Sequence, residues 1–340
     1  MDRLNPWGAA LAPIYHSGAG IRNFLYDAGI LDAIVLPSPV ISVGNLTMGG
    51  TGKTPFTQML VNHLIERRKK VALVGRNYKS RSVTVSKVDP KRKDAALFFG
   101  DEPTLLAQKN PGVSVYVGPR KWQAACLAFE MDPPDCVIVD DGFQHRSLYR
   151  NLDFVLMDAT APLLDYKIFP RGKARESLNS LKRADFIVLS KVNLVEESKI
   201  AALQALLPAD IPILQISYRL ESPVEEAGFK VMAVAGIAKP ETFHQSLKLD
   251  TLYDVVGQLN FPDHHPFQVR DLNKMKAEMI KAAAQLIVMT DKDYVKIGPM
   301  IQTETCDLRP EDIRVLPLRT FFLDSTAKFD EALDRLFAPA

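Results

Sequence analysis

The 340-residue sequence predicts an α/β protein: a Rossmann-like parallel sheet carrying a phosphate-binding loop, a second and smaller α/β domain, and an N-terminal helical arm. Three observations lead there. Short apolar, β-branched runs alternate with stretches of helical spacing along most of the chain, the pattern of a parallel sheet with crossover helices. The first such run passes into a glycine-rich loop and then a helix. Several later runs end in acids or polar residues, as strands do where they open onto a site.

The elements follow in order. The stretch "NPWGAALAPIYHSGAGIRNFLYDAGILDAIVLP" is aromatic and nearly uncharged, and Pro13 and its glycines break it into short helical pieces. It reads either as an arm packed on the core or as an interfacial helix with its rings at the headgroup level. "SPVISVGN" is a buried strand, "TPFTQMLVNHLIERRKK" a helix with Phe56, Met59, Leu60 and Leu64 on one face, and "VALVG" the next strand, which completes one βαβ unit. "CVIVDDG" (136–142), "DFVLMDA" (153–159), "DFIVLSKVN" (185–193), "PILQIS" (212–217), "VMAVAGI" (231–237) and "QLIVMTDKD" (285–293) read as further strands. "RLESPVEEAGF" (219–229), with Pro, Gly and three glutamates, reads as a linker. The expected organisation is therefore an arm over 1–35, a phosphate-loop domain over 36–218, the linker 219–229, and a second domain over 230–340.

Composition excludes several classes. With 42 basic and 40 acidic residues the net charge is +2, far from the basic excess of a nucleic-acid binder. Three cysteines, none closely paired in sequence, give no disulfide framework and no zinc site and suit a reducing compartment. No run of about 20 apolar residues reads as a membrane span, and no secretory signal is expected. Nothing in the composition calls for an obligate protein partner.

The chemistry concentrates in a few stretches. In "SVGNLTMGGTGKTP" the residues Thr47, Met48, Gly49, Gly50, Thr51, Gly52, Lys53 and Thr54 form a variant phosphate-binding loop, with Thr47 where the usual pattern has glycine. Glycines let backbone N–H groups converge on phosphate oxygens ahead of a helix. Lys53 suits the β- and γ-phosphates, and the Thr54 hydroxyl suits Mg²⁺. Asp140 and Asp141 close a strand and are candidate Mg²⁺ carboxylates. In "GDEP", Asp101 or Glu102 suits a base or a metal-assisting acid. "FPDHHPF" offers an Asp-His pair for proton transfer or phosphate anchoring. The basic run "RGKARESLNSLKRAD" suits an anionic substrate. In "SKVN", Asn193 stands where guanine-nucleotide proteins carry the acid that reads guanine, which favours another base.

These pieces, together with "VDDGFQHR", "AVAGIAKPETF" and "TDKDYVKI", resemble in order the tetraacyldisaccharide 4′-kinase family, from about residue 40 to residue 297. That family's loop carries Ser or Thr at the Thr47 position. Its Ser-Arg-Gly-Tyr-Gly turn appears here as Gly75, Arg76, Asn77, Tyr78 and Lys79, which keeps Arg76 and Tyr78. Its Arg-Glu pair is kept as Arg175 and Glu176, and Gln144 and His145 fall in the matching "DDGFQH". The resemblance implies ATP- and Mg²⁺-dependent phosphorylation of an acylated disaccharide 1-phosphate lipid, peripherally at the cytoplasmic face of the bacterial inner membrane. It implies two Rossmann-like domains joined by a two-stranded linker, an active site in the cleft, Asp101 as base paired with His264, and the arm facing the membrane. A phosphate-loop NTPase switch or chaperone acting on a protein is the rival reading; it leaves "FPDHHPF" and the aromatic arm without a role.

Overall fold

In the computed structural model, residues 18, 20–77, 80–303 and 305–338 are described. Trp7, Tyr15 and Tyr78 lie outside them. Of the arm, residues 20–27 are helical.

The first unit is built on strands β1 (Val40–Asn45), β2 (Val71–Arg76), β3 (Ser86–Lys87), β4 (Ser114–Gly118), β5 (Cys136–Asp140), β6 (Leu152–Asp158), β7 (Phe186–Ser190) and β8 (Ile213–Leu220). The second carries β9 (Lys230–Ala235), β10 (Asp254–Asn260), β11 (Leu286–Met289) and β12 (Ile313–Val315), and a last strand, β13 (Leu318–Phe322), follows. Two sheets result, ordered β13-β8-β7-β6-β1-β5-β2-β4-β3 and β10-β9-β11-β12. The α/β class with a mostly parallel sheet is as expected from the alternating runs. β1 lies between β5 and β6, parallel to both, and all six of its residues are buried. A strand covered on both faces reads as a continuous apolar run, which is why "SPVISVGN" was legible.

Two expectations change. The run 285–293 is a strand only as far as Met289; from Asp291 a helix runs to Thr303. Its acids Asp291 and Asp293 sit in the first helical turn, where the helix dipole favours negative charge. And residues 230–340 do not form one domain. β13 returns to the first sheet and pairs antiparallel with β8, Leu318 opposite Leu220 through Phe322 opposite Ile216. The helix Ala327–Leu336 then buries Phe329 and Leu333 against the first unit. Phe329 meets Phe154 and His63 at ring-centroid distances of 5.7 and 5.5 Å, and Arg67 binds Asp330 at 2.6 Å. The physical reason is the edge: without β13, β8 would present an unpaired ladder to solvent. The chain thus crosses between the units twice, at 221–229 and at 316–317.

Candidate active site

The carboxyl ends of the parallel strands in both sheets face a cleft, the usual ligand position in open α/β sheets. It encloses about 1200 Å³ and is lined by the loop 48–54, the 100–103 turn, Asp140 and Asp141, and residues of the second unit including Lys239, Asp263, His264 and Lys292.

The loop owes its shape to its own backbone and to three strands. Gly49 and Gly52 have φ of 112° and 85°, the left-handed region that glycine enters without strain. At Gly52 a Cβ would stand 2.1 Å from the Tyr218 hydroxyl, so nothing larger fits. Asn45 Nδ2 donates to the Thr47 carbonyl at 2.6 Å, Ser190 Oγ to that of Thr51 at 2.8 Å, Lys191 Nζ to that of Gly50 at 3.0 Å and Tyr218 Oη to that of Gly52 at 2.9 Å. Met48 N–H donates to the Lys173 carbonyl at 2.8 Å. The Thr51 N–H likewise turns inward to the Gly49 carbonyl at 3.1 Å, and the ligand position is the start of the helix Lys53–Glu66, where the first N–H groups of a helix lack intrahelical partners.

Around it the expected residues meet. Lys53 Nζ lies 3.4 Å from Asp141 Oδ1, and Arg175 donates to both oxygens of Asp141 at 3.0 and 2.8 Å and to Gln144 at 3.2 Å. Gln144 in turn donates to the Asn45 carbonyl at 2.9 Å. Burial opposes ionisation of Asp141, but Lys53, Lys121 and Arg175 outweigh it and hold the carboxyl well below the usual range. His145 is driven down to about 3 by burial and by Lys121, so it is neutral at pH 7. Glu176 is buried and receives Arg183 at 2.7 Å and, from the arm, Asn23 at 2.9 Å and Arg22 at 3.5 Å. Arg76, at the end of β2, lines the cavity, as does Asn193, whose amide donates to the Tyr218 carbonyl at 3.4 Å.

Asp140 differs from its neighbour. It is 7% exposed, and its Oδ1 has no hydrogen-bond partner. Burial, then the nearby Glu102 charge, pushes its carboxyl up to about 6. A buried carboxylate oxygen without a partner fits a cation, so the residues present suit Mg²⁺ at Asp140. No group of three or more His, Cys, Asp or Glu side chains among the described residues would hold a metal alone. Mg²⁺ commonly takes one or two carboxylates and completes its shell with phosphate and water.

Across the cleft, His264 Nδ1 meets Asp101 Oδ2 at 2.8 Å. Beside this pair Lys292 Nζ reaches Glu102 Oε1 at 3.1 Å and Asp263 Oδ1 at 3.7 Å, and Lys109 pairs with Asp291. Burial opposes ionisation of Asp101; the His264 hydrogen bond and the charges of Lys292, His264 and Lys296 outweigh it and bring it down to about 2. The candidates of "GDEP" and "FPDHHPF", some 160 residues apart in sequence, thus form one interdomain contact. Of the five described non-glycine residues with positive φ, three (Asp141, Lys191 and His264) line this cavity, and such backbone persists only where surrounding contacts enforce it.

Sequence reasoning missed four cations or acids here. Lys121 is 2% exposed and donates to the carbonyls of Asp140, at 2.6 Å, and Asp141; burial pushes it down to about 8. Nothing in "GPRKWQ" announces that. Asp158, Lys239 and Lys292 were more accessible. Asp158 closes an apolar strand as Asp140 does, and the lysines lie in "AVAGIAKPETF" and "TDKDYVKI".

A parallel sheet with a Gly-Lys-Thr loop, strand-end acids and a second α/β unit across the cleft defines the class: a phosphate-loop nucleotide-binding protein of two α/β units. The tetraacyldisaccharide-1-P 4′-kinase family model matches residues 4–338, and the chain belongs to that family. It is similar to the tetraacyldisaccharide 4′-kinases of Bdellovibrio bacteriovorus (41% identical, over 84% of this chain and 88% of the relative) and Desulfotalea psychrophila (35%, over 87% and 89%). A crystal structure of LpxK from Aquifex aeolicus in complex with ATP superposes with a TM-score of 0.76 at 28% identity, over 97% of this chain and 98% of that one. The chain is accordingly a kinase of lipid A biosynthesis, and the NTPase-switch reading is not favoured.

Proposed function

We propose that the cleft transfers the γ-phosphate of ATP, with Mg²⁺, to the 4′-hydroxyl of an acylated disaccharide 1-phosphate lipid, with the protein peripheral at the cytoplasmic face of the inner membrane. The observation that carries the reading is the Asp101–His264 hydrogen bond, which brings an acid–base pair from both units to the same cavity as the phosphate loop.

The loop N–H groups and Lys53 bind the phosphates. Thr54 and Asp140 would hold Mg²⁺, which when bound neutralises phosphate charge and orients the terminal groups. Asp141 is engaged by Lys53 and Arg175, and so keeps the loop lysine aimed into the cavity. Lys121, by fixing the carbonyls of both acids, sets where the Asp140 carboxylate points. The acceptor hydroxyl is oriented by the Asp101–His264 pair and gives its proton to that pair as the new O–P bond forms and the bond to the ADP oxygen breaks. The low pKa of Asp101 keeps it ionised, though it makes Asp101 a weak base. Phosphoryl transfer is loose, with little bonding to the nucleophile at the transition state, so alignment outweighs basicity. The contacts of Lys109 and Lys292 with the opposite unit close the cleft, which limits transfer to water.

The membrane reading is supported by Ile21, Phe24, Ile30 and Val35, all at least 60% exposed on the arm, while Arg22 of the same segment lines the cavity. No helix of the described residues is long and apolar enough to cross a membrane. An assay of labelled phosphate passing from ATP to a disaccharide 1-phosphate lipid in detergent tests the whole reading. Transfer that needs the lipid, and fails with Lys53→Ala in a folded protein, is the expected result; ATP hydrolysis indifferent to the lipid is the contrary one.

A further inference from the structure

Asp158 ends β6 with a side chain only 2% exposed. Its Oδ1 accepts from the Thr160 N–H at 2.9 Å and the Thr160 hydroxyl at 2.5 Å. Its Oδ2 accepts from two ammonium groups: Lys191 of the first unit at 2.8 Å and Lys239 of the second at 2.7 Å. Lys191 is the residue that also donates to the Gly50 carbonyl of the phosphate loop. Lys239 follows Ala238, whose Cβ would stand 4.0 Å from a Cβ placed on Gly50, so the second unit comes close to the loop at this point. Two cations share one carboxylate beside the loop, with Glu241 the further acid acting on Lys191.

We propose that Asp158 is a positioning residue for the nucleotide, binding Lys239 of one unit and Lys191 of the other so that docking of the second unit and the setting of the Gly50 carbonyl occur together. Burial opposes ionisation of this carboxylate, and the charges of Lys191 and Lys239 together outweigh it. The two ammonium groups repel each other and share one oxygen, so withdrawal of Lys239 when the cleft opens leaves Asp158 to draw Lys191 alone, away from its shared position and from the Gly50 carbonyl it also holds. Nucleotide binding and cleft closure are then coupled, with a reciprocal effect of each on the other. This rests on ATP as the donor.

The test uses the full chain, ATP–Mg²⁺ as probe, and fluorescent labels at the exposed Leu206 and Ile280, one on each unit. Lys239→Ala, at a side chain 24% exposed, is expected to fold. It should raise the Kd for ATP about tenfold, in the usual range for coupled sites. It should also widen the label distance already without nucleotide, while Lys239→Arg stays within about threefold of wild type. In an Asp158→Asn background, Lys239→Ala should add almost nothing. Wild-type Kd together with wild-type distance in Lys239→Ala overturns the inference, and so does a Lys239→Ala effect undiminished by Asp158→Asn. If the wild-type chain does not bind ATP, the donor assignment fails, and the nucleotide-free distance still decides on Asp158.

Discussion

The Asp101–His264 pair makes the clearest demand on single residues. A base acting with its partner contributes little to ground-state binding, so Asp101→Ala and His264→Ala should each lower kcat at least about a hundredfold with little change in KM for ATP. The double variant should be scarcely worse than the worse single one. Rescue of Asp101→Ala by raised Mg²⁺, or multiplying losses, would mark Asp101 as a metal ligand instead. The same pair predicts a pH effect on stability. The folded-state pKa of Asp101, about 2, lies below the ordinary 3.8, so its contribution is present above pH 4 and is lost as pH falls from about 4 to 2. In denaturant titrations Asp101→Asn should flatten that limb by about 2–3 kcal/mol, a shift of nearly two units at ~1.4 kcal/mol each. An unchanged limb would show that another acid governs it. Gly52 gives a second demand: Gly52→Ala meets both the Tyr218 hydroxyl and an unfavourable φ, so ATP binding measured calorimetrically should vanish in a folded protein. Residues of this kind were legible to different degrees. The loop and the paired acids announce themselves by spacing. Lys121 acts through contacts made only after folding, which no local pattern encodes; Asp158 is marked as a strand-end acid, but its partner Lys239, 81 positions away, is not.

At the scale of elements, legibility mostly followed burial; β4 is the exception, buried at four of its five positions and not read as a strand. β1, β5, β6 and β7 are buried along their whole length and read as apolar runs. β10 lies at a sheet edge, mostly half-exposed and carrying Gly257, and β12 is three residues long; neither makes a run that composition separates from a loop. β13 is an edge strand too, and its pairing with β8 joins segments about a hundred residues apart, so the two-domain division drawn from sequence placed it on the wrong side. The helix Ala327–Leu336 therefore stabilises the first unit, not the second. Phe329→Ala should destabilise the first unit by about 3–5 kcal/mol, the range for a fully buried Phe. Urea unfolding followed by hydrogen exchange would locate the loss; protection lost only in residues 230–315 would contradict it.

For the molecule as a whole, the arm, the first unit and the second unit all contribute to one cavity. Deleting residues 1–30 removes Ile21, Phe24 and the Arg22 and Asn23 contacts to Glu176. It should weaken binding to anionic phospholipid vesicles more than it weakens ATP binding; equal vesicle binding by the truncated protein would leave the arm a purely structural part.

The double crossing between the units has a consequence for covalent continuity. The segment 221–229 is exposed at Val224, Glu225, Ala227 and Gly228, yet it is not all that holds the units together. A chain broken between Val224 and Glu225 would give a second fragment that still carries β13 and the helix Ala327–Leu336, both seated in the first sheet by a ladder, an aromatic cluster and the Arg67 ion pairs. Two separately encoded polypeptides, 1–224 and 225–340, should therefore co-purify and recover kinase activity when expressed together, whereas 225–317, lacking that anchor, should not. The enzyme is in this respect a natural candidate for a split reporter, with reassembly read directly as phosphate transfer.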